Sequence, residues 1–141
     1  MIFDPGTEKG AHALERLGRA MAAWLTTVTE EGQPQSMPVW FLWTDDEIVV
    51  YSDHRARRNR NIGANPRVSF HLPDEGRGED VVTIEGTARI DLDYPPVGDN
   101  PVYLARYGPR IDASFGGPAA FSQIYSVPIR ITPTRAVVFR G

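Results

Sequence analysis

The stretch Ala22–Ser52, AAWLTTVTEEGQPQSMPVWFLWTDDEIVVYS, decides the fold. It reads as three β-strands in succession: Ala22–Thr29, Gln35–Trp43 and Glu47–Ser52. The turns between them are Glu30-Glu31-Gly32 and Thr44-Asp45-Asp46, short and polar enough for antiparallel hairpins. Pro38 lies inside the second strand. A proline donates nothing to a ladder, so that strand is expected at a sheet edge or a bulge.

Working outward, Thr7–Met21 has helical periodicity, with Leu14, Leu17, Gly18 and Met21 on one face and Thr7 placed to cap it. Downstream, Arg55–Gly63 is a short polar helix closed by Gly63-Ala64-Asn65-Pro66. Arg67–Leu72 alternates as a strand, and Pro73–Asp80 is a polar loop. Val81–Leu92 is a long strand with a bend expected at Gly86. A Pro-rich connector, Asp93–Asn100, leads to short helices at Pro101–Tyr107 and Pro118–Tyr125. Ser126–Phe139 supplies one or two final strands, interrupted at Pro133. Sequential antiparallel strands with few helices predict a small β-barrel in a single domain, residues 1–141.

The 141 residues carry 41% apolar and 23% charged side chains, an ordinary globular mixture. Without cysteine there is no disulfide, thiolate nucleophile or cysteine-held metal. Met1–Gly10 has no apolar core of a secretory signal, and the longest apolar run, Met37–Trp43, is far short of a membrane span. The expected location is the cytoplasm. Lys9 is the only lysine, which leaves no internal Schiff-base former. His12, His54 and His71 match no metal motif, and no site is predicted for a metal. There is no Walker loop, no GxSxG elbow and no carboxylate pair outside predicted turns, so no side chain is given a catalytic acid–base role.

What does stand out follows the third strand directly. Tyr51-Ser52-Asp53-His54-Arg55-Ala56-Arg57-Arg58-Asn59-Arg60-Asn61 places four arginines within six positions of a chain whose net charge is −3. Without them the remainder stands at −7. Three readings compete. One is a solvated basic helix face. A second is nucleic-acid binding, which the acidic remainder opposes because a long polyanion would be repelled. The third is a phosphate-bearing small molecule, held by arginine forks, the Ser52 hydroxyl and the amides opening the helix. Beside it, Met37-Pro38-Val39-Trp40-Phe41-Leu42-Trp43, with Gln35 and Ser36 as polar handles, offers surface for a flat ring, although each tryptophan taken singly suits core packing.

Four blocks in order resemble a known family. They are Trp24–Val28 with Gly32–Gln35; Pro38–Trp43; Tyr51-Ser52 with Arg58–Ile62 and Asn65–Val68; and Val81-Val82 with Glu85–Ala88. The ending Tyr125–Arg130 with Pro133-Thr134-Arg135 also fits. Together they resemble the flavin and deazaflavin oxidoreductases of the pyridoxamine 5′-phosphate oxidase-like superfamily, and within it the F-420-dependent subgroup. The resemblance implies a mainly β, six-stranded antiparallel split β-barrel that forms a homodimer with cofactors at the interface. It also implies that Ser52, Arg55, Arg57 and Arg58 hold the cofactor phosphate and that Asn61 fixes the turn. Gln35, Met37, Pro38, Val39 and Trp40 would then lie along the ring system. Many relatives have lysine where this chain has Arg58. The implied cofactor is F-420, with FMN as the alternative and a non-catalytic or haem-binding role as a third. The implied reaction is two-electron hydride reduction of a small organic substrate in a pocket involving Trp40 and Trp43. Pyridoxamine phosphate oxidase activity itself is not expected, because Ala136–Gly141 does not provide the C-terminal segment it demands.

Overall fold

In the computed structural model, which describes residues 1–141, the chain crosses from one edge of a sheet to the other within two residues. The strands are β1 (Ala23–Val28), β2 (Pro34–Val39), β3 (Leu42–Thr44), β4 (Glu47–Ser52), β5 (Arg67–His71), β6 (Asp80–Ile90) and β7 (Val127–Arg140). All neighbours are antiparallel, in the order β2-β1-β5-β6-β7-β4-β3. β2 and β3 are thus opposite edges, yet only Trp40-Phe41 separates them. Three Cα steps span at most about 11 Å, so the sheet must curl until its edges nearly meet. This is a split barrel, closed by the chain and not by a ladder.

The expected strand Gln35–Trp43 is therefore two strands, and the sheet has seven members where six were implied. The turn at Phe41 is held from outside. The Phe41 N–H donates to the Tyr107 hydroxyl at 3.0 Å, and that hydroxyl lies 3.0 Å from both the Phe41 and the Met21 carbonyl oxygens. Pro38 sits in an edge strand, as its missing N–H requires. Asp45 and Asp46 both have positive φ, 52° and 58°, so the turn expected over Thr44-Asp45-Asp46 is a two-residue hairpin turn with Thr44 still in β3.

The barrel interior is filled by inward-facing residues. One row runs Leu25–Phe70–Ile84 across β1, β5 and β6, and the pairs Ile48–Ile131 and Val50–Ile129 close the opposite wall. α1 (Glu8–Arg19) packs Ala13 and Leu17 into the same core. Its cap is Thr7, whose hydroxyl accepts from the Gly10 N–H at 3.0 Å. Glycine is needed at position 10 because a Cβ there would collide with the Asp4 carbonyl. β4 is buried on both faces: Ile48 and Val50 point into the barrel, while Val49 and Tyr51 meet a second core outside it. That explains the unbroken apolar run in a strand of an antiparallel sheet.

The outer core belongs to α3 (Pro101–Phe115) and α4 (Pro118–Ile124), joined by Gly116 at φ 78° and Gly117 at φ 119°. α3 is twice the length that the sequence predicts and runs through Pro109. Tyr103, Tyr107 and Ile111, spaced four apart, are all buried, and this burial overcomes the proline's cost of about 3 kcal/mol. A 3₁₀ turn at Val97–Asp99 precedes it.

The bend expected at Gly86 and the interruption expected at Pro133 are one feature. The register slips there, pairing Glu85 with Arg135 and Gly86 with Pro133, so that Thr134 is the extra residue of a bulge. A Cβ on Gly86 would stand 2.6 Å from the Thr132 carbonyl oxygen. β7 continues through the bulge as one strand of 14 residues.

Candidate functional site

The split of the barrel opens between β2 and α2 (Arg57–Ala64). Three adjoining depressions run along it, of about 530, 530 and 630 Å³. The first lies between the end of β2 and the aromatic side of α3 and α4. The second and third follow α2 toward the β1–β2 turn. Met37 and Arg58 belong to the first and second, Gln35, Arg57 and Asn61 to the second and third, so they form one groove.

The basic segment does not act as four equal charges. Arg55 is already answered: its Nε and NH2 reach the Asp53 carboxylate at 3.2 and 3.1 Å, and its backbone N–H reaches the same group at 2.8 Å. These bonds hold the Asp53 carboxyl below its ordinary range. Arg58 is different. It is half-buried, its Nε donates to Ser52 Oγ at 2.9 Å, and no carboxylate pairs with it. Burial lowers its pKa, and the nearby Asp53 carboxylate offsets this only in part. Neither terminal nitrogen of Arg58 has a protein hydrogen-bond partner, and the residue lines the groove wall. Arg57 and Arg60 are exposed and form no ion pair. Arg60 lines the third depression only, facing the turn that carries Glu30 and Glu31.

α2 begins at Ala56, which offers no side-chain cap, and its first turn holds no acidic residue. Two arginines stand at the positive end of the helix dipole, where cations are unfavourable by about 0.3–1 kcal/mol each. An anion at this turn offsets these costs by its own attraction to the dipole and to both arginines.

Ser52 is fully buried and lies behind Arg58, outside the groove lining, so it aims the guanidinium and is not itself a wall of the site. Asn61 is buried too. Its Nδ2 donates to Thr27 Oγ1 at 2.9 Å and to Gln35 Oε1 at 3.0 Å, which fastens α2 to β1 and β2. Met37, Pro38, Val39 and Trp40 line the first depression. Val39 turns its side chain into the barrel core, so only its backbone is offered. β2, as an edge, leaves carbonyls unpaired, but Pro34 and Pro38 bring no N–H to that edge. Trp40 stacks on Tyr107 at 4.6 Å and on Phe121 at 5.8 Å. Trp43 does not reach the groove; it packs edge-on against Phe3 at 5.6 Å.

Sequence reasoning missed the far wall: Tyr103, Phe115, Phe121 and Tyr125. Phe121 and Tyr125 stack at 4.4 Å, and Phe115 meets both edge-on. The signal was present as aromatic pairs four apart, Tyr103 with Tyr107 and Phe121 with Tyr125, in segments recognised as helices but not connected to the site. The His54 N–H bonds the Ile124 carbonyl at 3.0 Å, tying this wall to the basic turn. No histidine lines the aromatic end: His12 bonds Asp80 at 2.7 Å, His71 stacks on Trp24 at 6.5 Å, and His54 edges the third depression. No group of side chains is arranged to hold a metal ion, and no helix is long and apolar enough to cross a membrane.

Solved structures share this architecture. An F420 reductase superposes with a TM-score of 0.67 at 26% identity, covering 87% of this chain and 94% of its own. HutZ, the haem storage protein from Vibrio cholerae, gives 0.62 at 20%, covering 99% and 98%. An FAD-binding protein from Mesorhizobium loti gives 0.64 at 20%, covering 89% and 90%. No functionally curated protein matches the sequence. The sequence profile of the family described as pyridoxamine 5′-phosphate oxidase matches residues 10–120. With that match over most of its length and a split barrel opened beside a basic helix, the chain belongs to the pyridoxamine 5′-phosphate oxidase family.

Proposed function

We propose that the chain is an oxidoreductase that uses the deazaflavin F-420 to reduce a small organic molecule by two electrons, acting in the cytoplasm. One observation carries the reading. Arg58 is a half-buried cation with no carboxylate partner, aimed by a buried serine into a groove that turns aromatic at one end. Such a charge is held at a cost in the free protein and repaid by an anionic ligand.

The groove fits a ring joined to a phosphate. The β2 edge beside Trp40 accepts a flat ring system, while Arg58 and the uncapped first turn of α2 accept the phosphate. Beyond them Arg57, which forms no ion pair and lies along both the second and third depressions, is left to meet a further anionic group such as the glutamate tail of F-420. The likeness to an F420 reductase supports the same choice. When bound, the cofactor would supply hydride chemistry. The protein's own part would be to fix the phosphate, support the ring on Trp40 and β2, and exclude water with Phe115 and Phe121.

FMN shares the ring and the phosphate and is the second reading. Haem has less support here, because no histidine lines the aromatic end. We further propose a homodimer. Trp24, Val137 and Phe139 are exposed on the outer sheet face, and the register puts Trp24, His71, Thr83 and Val137 in one row across it. Unpartnered apolar rows of this kind mark association surfaces. A monomer mass by light scattering would remove that part of the proposal.

The test of function is a fluorescence titration with F-420, expected to saturate in the micromolar range. Protein that is isolated yellow and does not respond to F-420 would move the assignment to FMN, and a Soret band would move it to haem.

A further inference from the structure

The outer core holds three buried tyrosines, and two of them are fully committed. The Tyr107 hydroxyl serves the Phe41 N–H and the Met21 and Phe41 carbonyls. The Tyr51 hydroxyl donates to the Pro95 carbonyl at 2.6 Å and accepts from Asn100 Nδ2 at 3.0 Å. Tyr103 stands between them, 4.8 Å from each ring, and is only 1% exposed. Its backbone N–H is bonded to the Asn100 carboxamide oxygen, but its hydroxyl bonds to no protein atom. Nor is that hydroxyl sealed in: it is not among the inaccessible orphaned polar atoms, and Tyr103 lines the first depression. A buried hydroxyl without a partner is unfavourable, and phenylalanine would fill the same volume without it. Tyr103 itself borders the groove, where a ligand can meet it.

The surroundings define what could meet it. Burial pushes the Tyr103 phenol pKa far up, so it stays protonated and acts as a donor. The walls on this side are Trp40, Phe115, Phe121 and Tyr125, with Arg55 and Arg58 on the basic side of the same depression. A carboxylate or phosphate would lose its water against these rings and be drawn instead to Arg58. Trp40, Phe121 and Tyr125 lie nearly parallel, at 13° and 18° between neighbours, and so present layered faces that a planar ring can extend.

We propose that the aromatic end of the groove is a substrate compartment for a flat, uncharged ring molecule bearing a carbonyl-type oxygen, and that the Tyr103 hydroxyl donates the hydrogen bond that fixes this oxygen. The proposal rests on the oxidoreductase reading, which supplies the reason for a second ring beside the cofactor. The bond orients the acceptor molecule and draws electron density from its carbonyl carbon.

The experiment compares acetophenone with ethylbenzene, which have similar size and differ in the carbonyl oxygen. Binding is followed by NMR titration of the Trp40 indole signal, with and without bound cofactor, in the wild type and in Tyr103→Phe. The wild type is expected to prefer acetophenone about five-fold, the size of one neutral hydrogen bond. In Tyr103→Phe that preference disappears, cofactor affinity holds, and the melting temperature of the free protein does not fall. A preference that survives the substitution overturns the proposal. So does equal weakening of cofactor binding, which would give the hydroxyl to the cofactor, and so does a lowered melting temperature, which would give it a structural partner. Absence of acetophenone binding also overturns it. If the wild type binds neither F-420 nor FMN, the oxidoreductase reading fails by itself, whatever the ketone titration shows. Arg58→Met separates the two further, since it should weaken the cofactor and leave the ketone preference alone.

Discussion

Replacing Arg58 by methionine should separate binding from folding, because the two respond to different parts of the same side chain. In the free protein Arg58 makes one hydrogen bond, Nε to Ser52 Oγ at 2.9 Å. Losing it costs roughly 1 kcal/mol, softened because Ser52 Oγ keeps the bond it already donates to the Asp53 carbonyl at 3.4 Å. Against this, the substitution removes a cation from the positive end of α2, a gain of about 0.3–1 kcal/mol, and leaves a thioether that tolerates half-burial. The two nearly cancel, so the melting temperature should stay within about 4 °C of the wild type. In the complex the same change deletes a charge-assisted contact to phosphate, worth about 1.5–3 kcal/mol. That converts to a dissociation constant about 10- to 150-fold weaker. Arg58→Lys should fall between, since lysine keeps the charge but has neither the fork nor the Ser52 tether. The assays are a fluorescence titration at fixed ionic strength and thermal unfolding of the ligand-free protein. Unchanged affinity in Arg58→Met would refute the anion-site argument. A fall of more than about 10 °C would show instead that Arg58 is a structural ion whose burial the fold requires.

Tyr107→Phe should destabilise by about 1–3 kcal/mol, because it orphans the buried Phe41 N–H at the crossover between sheet edges; urea unfolding measures this, and no loss would mean that the crossover holds itself. Stability should fall in acid through Asp80 and Asp91, whose carboxyls are held low first by the hydrogen bonds from His12 and Arg130 respectively. Carboxyls depressed in the folded state contribute fully above their unfolded pKa of about 3.9, and that contribution is lost as pH falls through the folded values. Melting temperature against pH should therefore be level with respect to these groups above about pH 5 and decline below 4, and the decline should be shallower in Asp91→Asn; an identical acid limb in that variant would clear Asp91 of the effect.

The parts of this molecule that were legible in sequence are those in which local chemistry and tertiary structure agree. Asp45-Asp46 wants the left-handed conformation that a tight hairpin needs, and the hairpin is there. Thr7 wants to cap and caps. Pro38 cannot serve a central strand and lies on an edge. Where global packing overrules a local preference, the pattern misleads. Gln35–Trp43 is apolar throughout its second half because Phe41 fills the barrel while Leu42 and Trp40 pack outside it, and no period distinguishes that passage between two edges from one continuous strand. The helix expected over Pro101–Tyr107 continues through Pro109, because Tyr103, Tyr107 and Ile111 bury enough surface to carry α3 past it. The site divides in the same way. Its basic side is contiguous in sequence and visible as a charge anomaly, though only geometry shows that Asp53 already answers Arg55 and leaves Arg58 unanswered. Its aromatic side comes from Tyr103, Phe115, Phe121 and Tyr125, more than forty positions away from the arginines and joined to them by one backbone hydrogen bond from His54 to Ile124. A sequence displays which charges are clustered; it does not display which of them lack a partner, and in this groove it is the unpartnered groups, Arg58 at one end and the Tyr103 hydroxyl at the other, that define what a ligand must bring.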